Sequence, residues 1–390
     1  MTPSGSKSEN AQSATAMPLD GIRVLDLSRL VAGNVLSVVL ADFGADVIKV
    51  ERPGRGDDLR NWTEDGVDTW WQVLGRNKRS IALDLKSEPD LDSLRRLVRS
   101  SQVFIENFVP GKLEEMGLAP GVLLGLNPKL VIVRVSGWGQ TGPFSHRPGF
   151  GTLVEAMSGF AHLNGFPDKP PALPPLATAD SVAGLYGAFA VMAAVRNVEQ
   201  LGGDGQVIDL SLFESMFSVL APEAVKYAAS GTVNSRMGNQ AVNTAPRNVY
   251  ETSDGKFIAL SGSMQSMFER LCHAISMPAL IDDARFLDNE SRVRNRDALN
   301  EILAGYFSSM TREETLATME AAGVTVGPVL SVAELMEHPY MAGRGVTQNV
   351  TRPDGSTGPV PTVIPRLSKT PGTLHRPAPK IGEHTTEILP

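Results

Sequence analysis

Residues 22 to 51 constrain this chain more than any other stretch. "IRVLDLS", "LVAGNVLSVVLADFGA" and "DVIKVE" read as a short apolar strand, an amphipathic stretch and a second apolar strand. Two strands joined through a helix run parallel, and a sheet built of such units is covered on both faces. The pattern recurs in "SIALDL", a charged helix from Glu88 to Ser100, "QVFIENF", a Gly- and Leu-rich helical stretch, and "LVIVRVSG". "GQVIDLSL" and a helix from Phe213 to about Ala229 read as the last strand and helix of this layer. Such alternation predicts an α/β fold with a doubly wound sheet.

The texture then changes. "GTVNSRMGNQAVNTAPRN" is a Gly- and Asn-rich connector, and "VYETSDGKFIALSG" predicts a hairpin turning at Asp254-Gly255. Helices around 264 to 276, 291 to 308 and 312 to 323 complete a smaller α+β domain. The expected organisation is a disordered tail over 1–17, a large Rossmann-like domain over 18–228, the small domain over 229–335, and a C-terminal segment over 336–390. That last segment is rich in Pro, Gly and Thr, with a turn expected at "PDGST". It is read as packing back on the large domain or on a partner subunit.

Composition excludes several function classes. A formal charge of −7 supplies no global basic field for nucleic acid or an anionic membrane, so any basic residues that matter act locally. One cysteine, Cys272, rules out an intrachain disulfide and a Cys-rich metal site, and it reads as a small buried hydrophobe. Six scattered histidines form no close pair at helical ligand spacing, so no metal site is expected. The polar N-terminus resembles no signal or transit peptide, and the apolar stretch Ser181 to Val195 is too short to span a bilayer. A soluble, cytoplasmic protein is expected.

The first strand-to-helix turn, "SRLVAGNVLS", carries Gly33 alone where a dinucleotide fingerprint needs three glycines, and no P-loop motif occurs. Polar and basic residues gather instead at expected strand ends: Arg52, then Arg76, Asn77, Lys78 and Arg79, then Asn107 and Phe108. Ligands of open α/β sheets bind beyond the carboxyl ends of the strands. Cations there suit phosphates, and Phe108 or a Trp of "TWW" suits an adenine. Solvated loop charge is the alternative for each basic residue. "GWGQTGP" is either a close backbone approach to a ligand or a tight turn. Asp180 and Ser181, before a run of small apolar residues, suit helix capping. Capping is the first reading of these residues alone; a carboxylate at a helix start with small residues around it is the second, and suits chemistry.

"PLDGIRVLDLSRLVAGNVLSVVLADFGADVIKVERPGRGDDLR" resembles the opening of the family III CoA-transferases. "NKRSIALDLK", "IENFVPGKLEEMGL", "SGWGQTGP", "GDGQVIDLSLFESM", "YETSDGKFIAL" and "IGEHTTEIL" resemble later motifs in the same order, over residues 18 to 390. The resemblance implies a Rossmann-like large domain, a smaller domain, and a homodimer of interlocked subunits. It implies acyl-CoA and small carboxylates as substrates, with succinyl-CoA as a donor, and no prosthetic group, nucleic acid or membrane as partner. The catalytic aspartate falls on Asp180. CoA-binding positions fall on Leu30, Val31, Arg52, the segment Leu74 to Arg79 with Asn77 and Lys78, Asn107, Phe108 and Met116. Val31 and Ser136 stand where formyl-CoA transferase has Gln and Lys, which disfavours formate and oxalate.

The same family includes α-methylacyl-CoA racemase, whose second catalytic group is a His-Asp pair. Phe150 and Gly151 stand there in this chain, and neither exchanges a proton. Glu155, one helical turn on, aligns with a Gln of many relatives and reads as pocket lining or as facing solvent. A transferase needs one nucleophile, which Asp180 supplies through an aspartyl anhydride and an aspartyl-CoA thioester. The connector "SRMGNQAVNTAPRN" reads as a cover over the site, with Gly238 as hinge, Asn239 and Gln240 as polar contacts, and Arg247 for a second carboxylate of the acceptor; an ordinary linker is the alternative. A racemase and a non-catalytic acyl-CoA binder stay open beside the transferase.

Overall fold

Strand by strand, the apolar runs of the sequence assemble in the computed structural model, which describes residues 16–352 and 355–389. Most of the expected N-terminal tail, and Pro353 and Asp354 of the expected "PDGST" turn, lie outside them. The chain forms two compact units. The first holds residues up to Val154, Leu176–Val219 and Gly345–Pro390; the second holds Glu155–Pro175 and Leu220–Arg344.

The first unit is built on six parallel strands: β1 (Arg23–Asp26), β2 (Asp46–Glu51), β3 (Lys78–Ala82), β4 (Val103–Glu106), β5 (Val131–Ser136) and β6 (Gln206–Ser211). Their spatial order is β3-β2-β1-β4-β5-β6, so the direction of winding reverses between β1 and β4. A reversal of this kind opens a crevice at the carboxyl ends of the two central strands. In register, Val24 of β1 faces Val47 on one side and Val103 on the other, as two-sided burial requires.

Helix α1 (Ala32–Asp42) follows β1, and α2 (Glu88–Arg99) follows β3. Helix α2 buries Leu91, Leu94, Leu97 and Val98, begins with Pro89 in its first turn and ends with Arg96 and Arg99, which suit the negative end of its dipole. The longest helix, α3 (Thr178–Gln200), is 23 residues long and apolar enough by length and composition to cross a membrane. One face of it, with Ala183, Gly184, Gly187, Ala188 and Val191, is buried in the first unit, and 44% of its apolar stretch is buried in all. Gly184 meets the Val35 side chain and the Ala32 carbonyl of α1, while Gly187 meets the ends of Leu36 and Leu210.

The C-terminal segment covers the edge strand. Ser80 of β3 exchanges hydrogen bonds with His384, donating its N–H to Nδ1 (3.2 Å) and accepting from the His384 N–H (2.9 Å). Ala82 N–H donates to Thr385 Oγ1 at 3.0 Å. The free edge of β3 is thereby closed.

In the second unit β7 (Arg247–Glu251), β8 (Phe257–Ser261) and β9 (Val326–Pro328) form an antiparallel sheet, with the turn at Asp254-Gly255 and Gly255 at φ 70°. Phe268, Leu271, Cys272, Leu303, Phe307 and Met319 pack with Tyr250, Ile258 and Leu260. The single helix expected from Phe213 to Ala229 is two, Leu212–Val219 and Ala221–Ser230. Pro222 lacks the N–H that a continuous helix needs there and stands at the start of the second. The helix expected over 291–308 is likewise Asn289–Arg294 and Arg296–Phe307.

Gly184→Ala should lower the unfolding free energy by about 1–3 kcal/mol in denaturant titration, because its new methyl meets backbone and a β-branched Cβ. Gly187→Ala meets only leucine ends, and a helix-propensity gain of about 1 kcal/mol should leave it near neutral.

Candidate active site

The turn after β1 is fixed from below by buried charge. Asp26 accepts from the N–H and Oγ of Ser28 (2.9 and 2.5 Å) and from Ser37 Oγ (2.5 Å), with Lys49 and Lys78 each at 3.3 Å. Lys49 also meets Asp57 at 3.0 Å and donates to the Ser28 carbonyl. Burial opposes ionisation of Asp26, but the two lysines and two hydroxyls outweigh it and hold its pKa below the usual range. Burial pushes Lys78 down to about 8, against the pull of Asp26, while for Lys49 the attraction of Asp26, Asp57 and Glu51 outweighs burial and raises its pKa.

This network holds Leu30 in the left-handed region, at φ 62°. Asp57 Oδ1 accepts the Leu30 N–H at 2.9 Å, and the Asn34 amide donates to the Leu30 carbonyl at 2.6 Å and to Asp57 Oδ2 at 2.7 Å. Without such partners a left-handed leucine costs about 1–2 kcal/mol. Gly33, the lone glycine of the turn, has a local reason: a Cβ there overlaps the Ser28 side chain.

Two cavities open beside this turn. The larger, about 670 Å³, is lined by Arg52, Gly56, Lys86, Lys112, Phe108 and Met116, among others. It gathers three of the expected CoA positions: Arg52, Phe108 and Met116. Lys86 and Lys112, which the sequence reading passed over, add two cations to it. Their signal was position alone, each shortly after a strand.

The smaller cavity, about 160 Å³, is lined by Leu30, Asn107, Phe108, Ser136, Phe150 and Asp180, among others. It is small beside the ~300–1,000 Å³ of pockets for drug-sized ligands, and so suits a group of a few heavy atoms. Asp180 lies in the first turn of α3. The capping expected of Asp180 and Ser181 takes another form, because the helix already begins at Thr178 with Ala177 at its cap. Ser181 Oγ instead donates back to the Ala177 carbonyl at 2.8 Å. A Cβ built on Gly151 would overlap an Asp180 carboxylate oxygen, so residue 151 has to be glycine for the carboxylate to keep this position. Gly137 and Gly149 approach each other so closely that a Cβ on either meets the other's backbone, which brings "GWGQTGP" against the segment before Gly151.

The remaining expected residues lie elsewhere. Val31 is buried, packed with Leu74, Leu59 and Trp71. Trp71 is 1% exposed and donates to the Pro379 carbonyl, so it is not available to cover an adenine. Asn77 bonds Asp42 and the Thr373 carbonyl at 2.8 Å each, and its Oδ1 accepts from the N–H groups of His375 and Arg376. Lys78 donates to Asn34 Oδ1 at 2.7 Å, and Arg79 pairs with Asp46 and Glu387. Leu74 to Arg79 line neither cavity because they precede β3 or open it, away from its carboxyl end. Gly238, Asn239, Gln240 and Arg247 belong to the second unit, where Gly238, at φ 61°, packs on Phe166 and Arg247 is exposed. Glu155, read as pocket lining or solvent-facing, is 3% exposed.

Residues 19–385 match the family described as CoA-transferase family III. The chain belongs to this family. It is therefore an enzyme that moves CoA between an acyl-CoA and a carboxylic acid. This family III CoA-transferase is 37% identical, over 95% of its length and 93% of the relative's, to succinyl-CoA--D-citramalate CoA-transferase of Chloroflexus aurantiacus. It is 36% identical to succinate--glutarate CoA-transferase of Agrobacterium fabrum, with 95% of each chain covered. A crystal structure of a CAIB/BAIF family protein from Brucella suis superposes with a TM-score of 0.84 at 36% identity, covering 96% of this chain and 98% of the other.

Gly151→Ala should displace the Asp180 carboxylate and cut the CoA-transfer rate by about a hundredfold, as misplacement on the ångström scale does in active sites. A steady-state assay beside a thermal melt would check this, and an undiminished rate would show that the site tolerates the shift.

Proposed function

We propose that this CoA-transferase acts between succinyl-CoA or a similar acyl-CoA and a small dicarboxylic acid, with Asp180 as its nucleophile. The observation that carries the reading is the Asp180 carboxylate at a helix start in a cavity the size of a small acyl group, with Gly151 leaving space for its oxygen. Relatives named for succinate, glutarate and citramalate support the choice of acids.

The steps balance without an external base. An Asp180 oxygen attacks the donor thioester carbonyl, the C–S bond breaks, and CoA thiolate leaves a mixed anhydride. The thiolate attacks the aspartyl carbonyl, giving the aspartyl-CoA thioester and the free donor acid. An acceptor carboxylate then attacks that thioester, expelling the thiolate, which takes the acceptor's acyl group and restores Asp180. The anhydride conserves the transfer potential of the thioester, and the first-turn N–H groups of α3 favour an ionised nucleophile. Water has to be kept away, since it would hydrolyse each intermediate.

In this reading Arg52, Phe108 and Met116 hold the nucleotide part of CoA, while Leu30 and Asn107 flank the reacting end. Leu74 packs with Val31 of the turn and Lys78 braces it through Asp26 and Asn34, while Asn77 and Arg79 tie the end of α1 and the start of β2 to the C-terminal segment. Gly238, Asn239, Gln240 and Arg247 keep their proposed part as a cover and acceptor contact. The working form is an interlocked homodimer, for which the exposed apolar face of Leu185, Tyr186, Phe189 and Met192 on α3 gives a covering partner a reason to exist. Cytoplasm is the assigned compartment, on acyl-CoA chemistry and a single buried thiol.

Peptide mass spectrometry after incubation with succinyl-CoA should find Asp180 modified, and Asp180→Ala should abolish both adduct and transfer. An Ala variant that transfers CoA at the parental rate would remove Asp180 from the mechanism. Arg52→Ala should raise KM for CoA esters by about tenfold with a smaller change in kcat, because a phosphate contact serves ground and transition states alike. An unaltered KM would place Arg52 outside the site.

A further inference from the structure

We infer that Arg29 is the specificity residue that receives the distal carboxylate of a dicarboxylic acyl group in the Asp180 cavity. The inference rests on the proposed CoA-transfer between dicarboxylic acids and names the group that selects them.

Arg29 and Phe108 are the two residues that line both cavities. Arg29 thus stands between the small space holding Asp180 and the large cleft. Its backbone is held from both sides by one side chain: Asn107 Oδ1 accepts the Arg29 N–H at 2.9 Å, and the Asn107 amide donates to the Arg29 carbonyl at 2.7 Å. A residue placed so firmly is suited to aim a side chain.

One nitrogen of the Arg29 guanidinium is unsatisfied. Nε is buried and has no hydrogen-bond partner. Nη1 lies 3.5 Å from an Asp58 oxygen, while the other Asp58 oxygen is taken by Arg55 at 2.9 Å. Arg60, Arg76, Arg79 and Arg134 of the same unit are each bonded to carboxylates at 2.8 Å or less. The Arg29 side chain as a whole is 41% exposed, so Nε alone is a buried donor without an acceptor, and a ligand oxygen is one partner that would satisfy it.

The chemistry of the cavity says which ligand. Its walls include Val109, Pro110, Val135, Phe150 and Leu212. A second carboxylate carried into such surroundings is unfavourable unless a cation meets it. Arg147 shares the cavity but is exposed and stacks on Phe144 at 3.8 Å, so Arg29 is the cation there with an unused buried donor. An acid lacking the second carboxylate leaves Nε orphaned, and sites of that kind discriminate against the analogue that cannot pair.

The test measures binding in an Asp180→Ala background, where no transfer occurs, by calorimetry with succinyl-CoA and butyryl-CoA. The two esters match in chain length and differ by the terminal carboxylate. Arg29→Met should weaken succinyl-CoA by about tenfold to a hundredfold, the range for a charge-assisted hydrogen bond, and weaken butyryl-CoA far less. Arg29→Lys, keeping charge without Nε, should fall between. Equal weakening of both esters would assign Arg29 to CoA itself and overturn the inference. So would no weakening of either, or a succinyl preference that responds to Arg247→Met and not to Arg29→Met. Failure of the Asp180 mechanism shows separately, as a missing adduct in the wild-type chain.

Discussion

Everything at the centre of the first unit depends on a charge cluster sealed beneath the β1 turn. Asp26, Asp57 and Glu51 are set against Lys49, Lys78 and Arg60, with Asp26, Lys49 and Lys78 fully buried. Such a cluster is a poor source of net stability, since desolvation offsets most of the attraction. Breaking it is another matter, because removing one partner of a buried pair costs about 3–5 kcal/mol. What the cluster supplies is position. It anchors Asp57, which holds Leu30 left-handed and so directs the chain from strand to helix beside the two cavities.

Around this anchor, glycine determines how closely parts approach. Gly33 leaves space for Ser28, Gly151 for the Asp180 carboxylate, Gly184 for α1, and Gly137 and Gly149 for each other. These contacts bring the start of α3 up to the carboxyl ends of the sheet. A carboxylate at a helix start, with a cleft lined by Arg52, Lys86 and Lys112 alongside, is then a consequence of strand order and small residues together.

The chain was legible where local pattern and tertiary demand agree. The six strands, their parallel sense and the Asp254-Gly255 hairpin follow from apolar runs and turn residues. Arg52, Phe108 and Met116, near expected strand ends, gather in one cleft, and Asp180 lies in a cavity of its own. Legibility failed where a side chain's direction mattered. Asn77, Lys78 and Arg79 read as ligand contacts because they are polar, yet they face a buried carboxylate, a neighbouring amide and the C-terminal segment. Of the two Trp of "TWW" that read as available for stacking, Trp71 is enclosed and Trp70 half-buried. Arg29 went unremarked, because a guanidinium with one unpaired nitrogen cannot be told from any other in a sequence.

By itself the sequence determined the class of fold, the family and the carboxylate at the head of α3, since these rest on periodicity, motif order and residue identity. Only the tertiary structure decided which charges are sealed inside and which face a cavity. Burial depends on neighbours brought from β2, β3 and the C-terminal segment, more than 300 residues away in the case of Ser80 and His384. A one-dimensional pattern does not encode the solvent exposure that sets whether a lysine braces a turn or binds a phosphate.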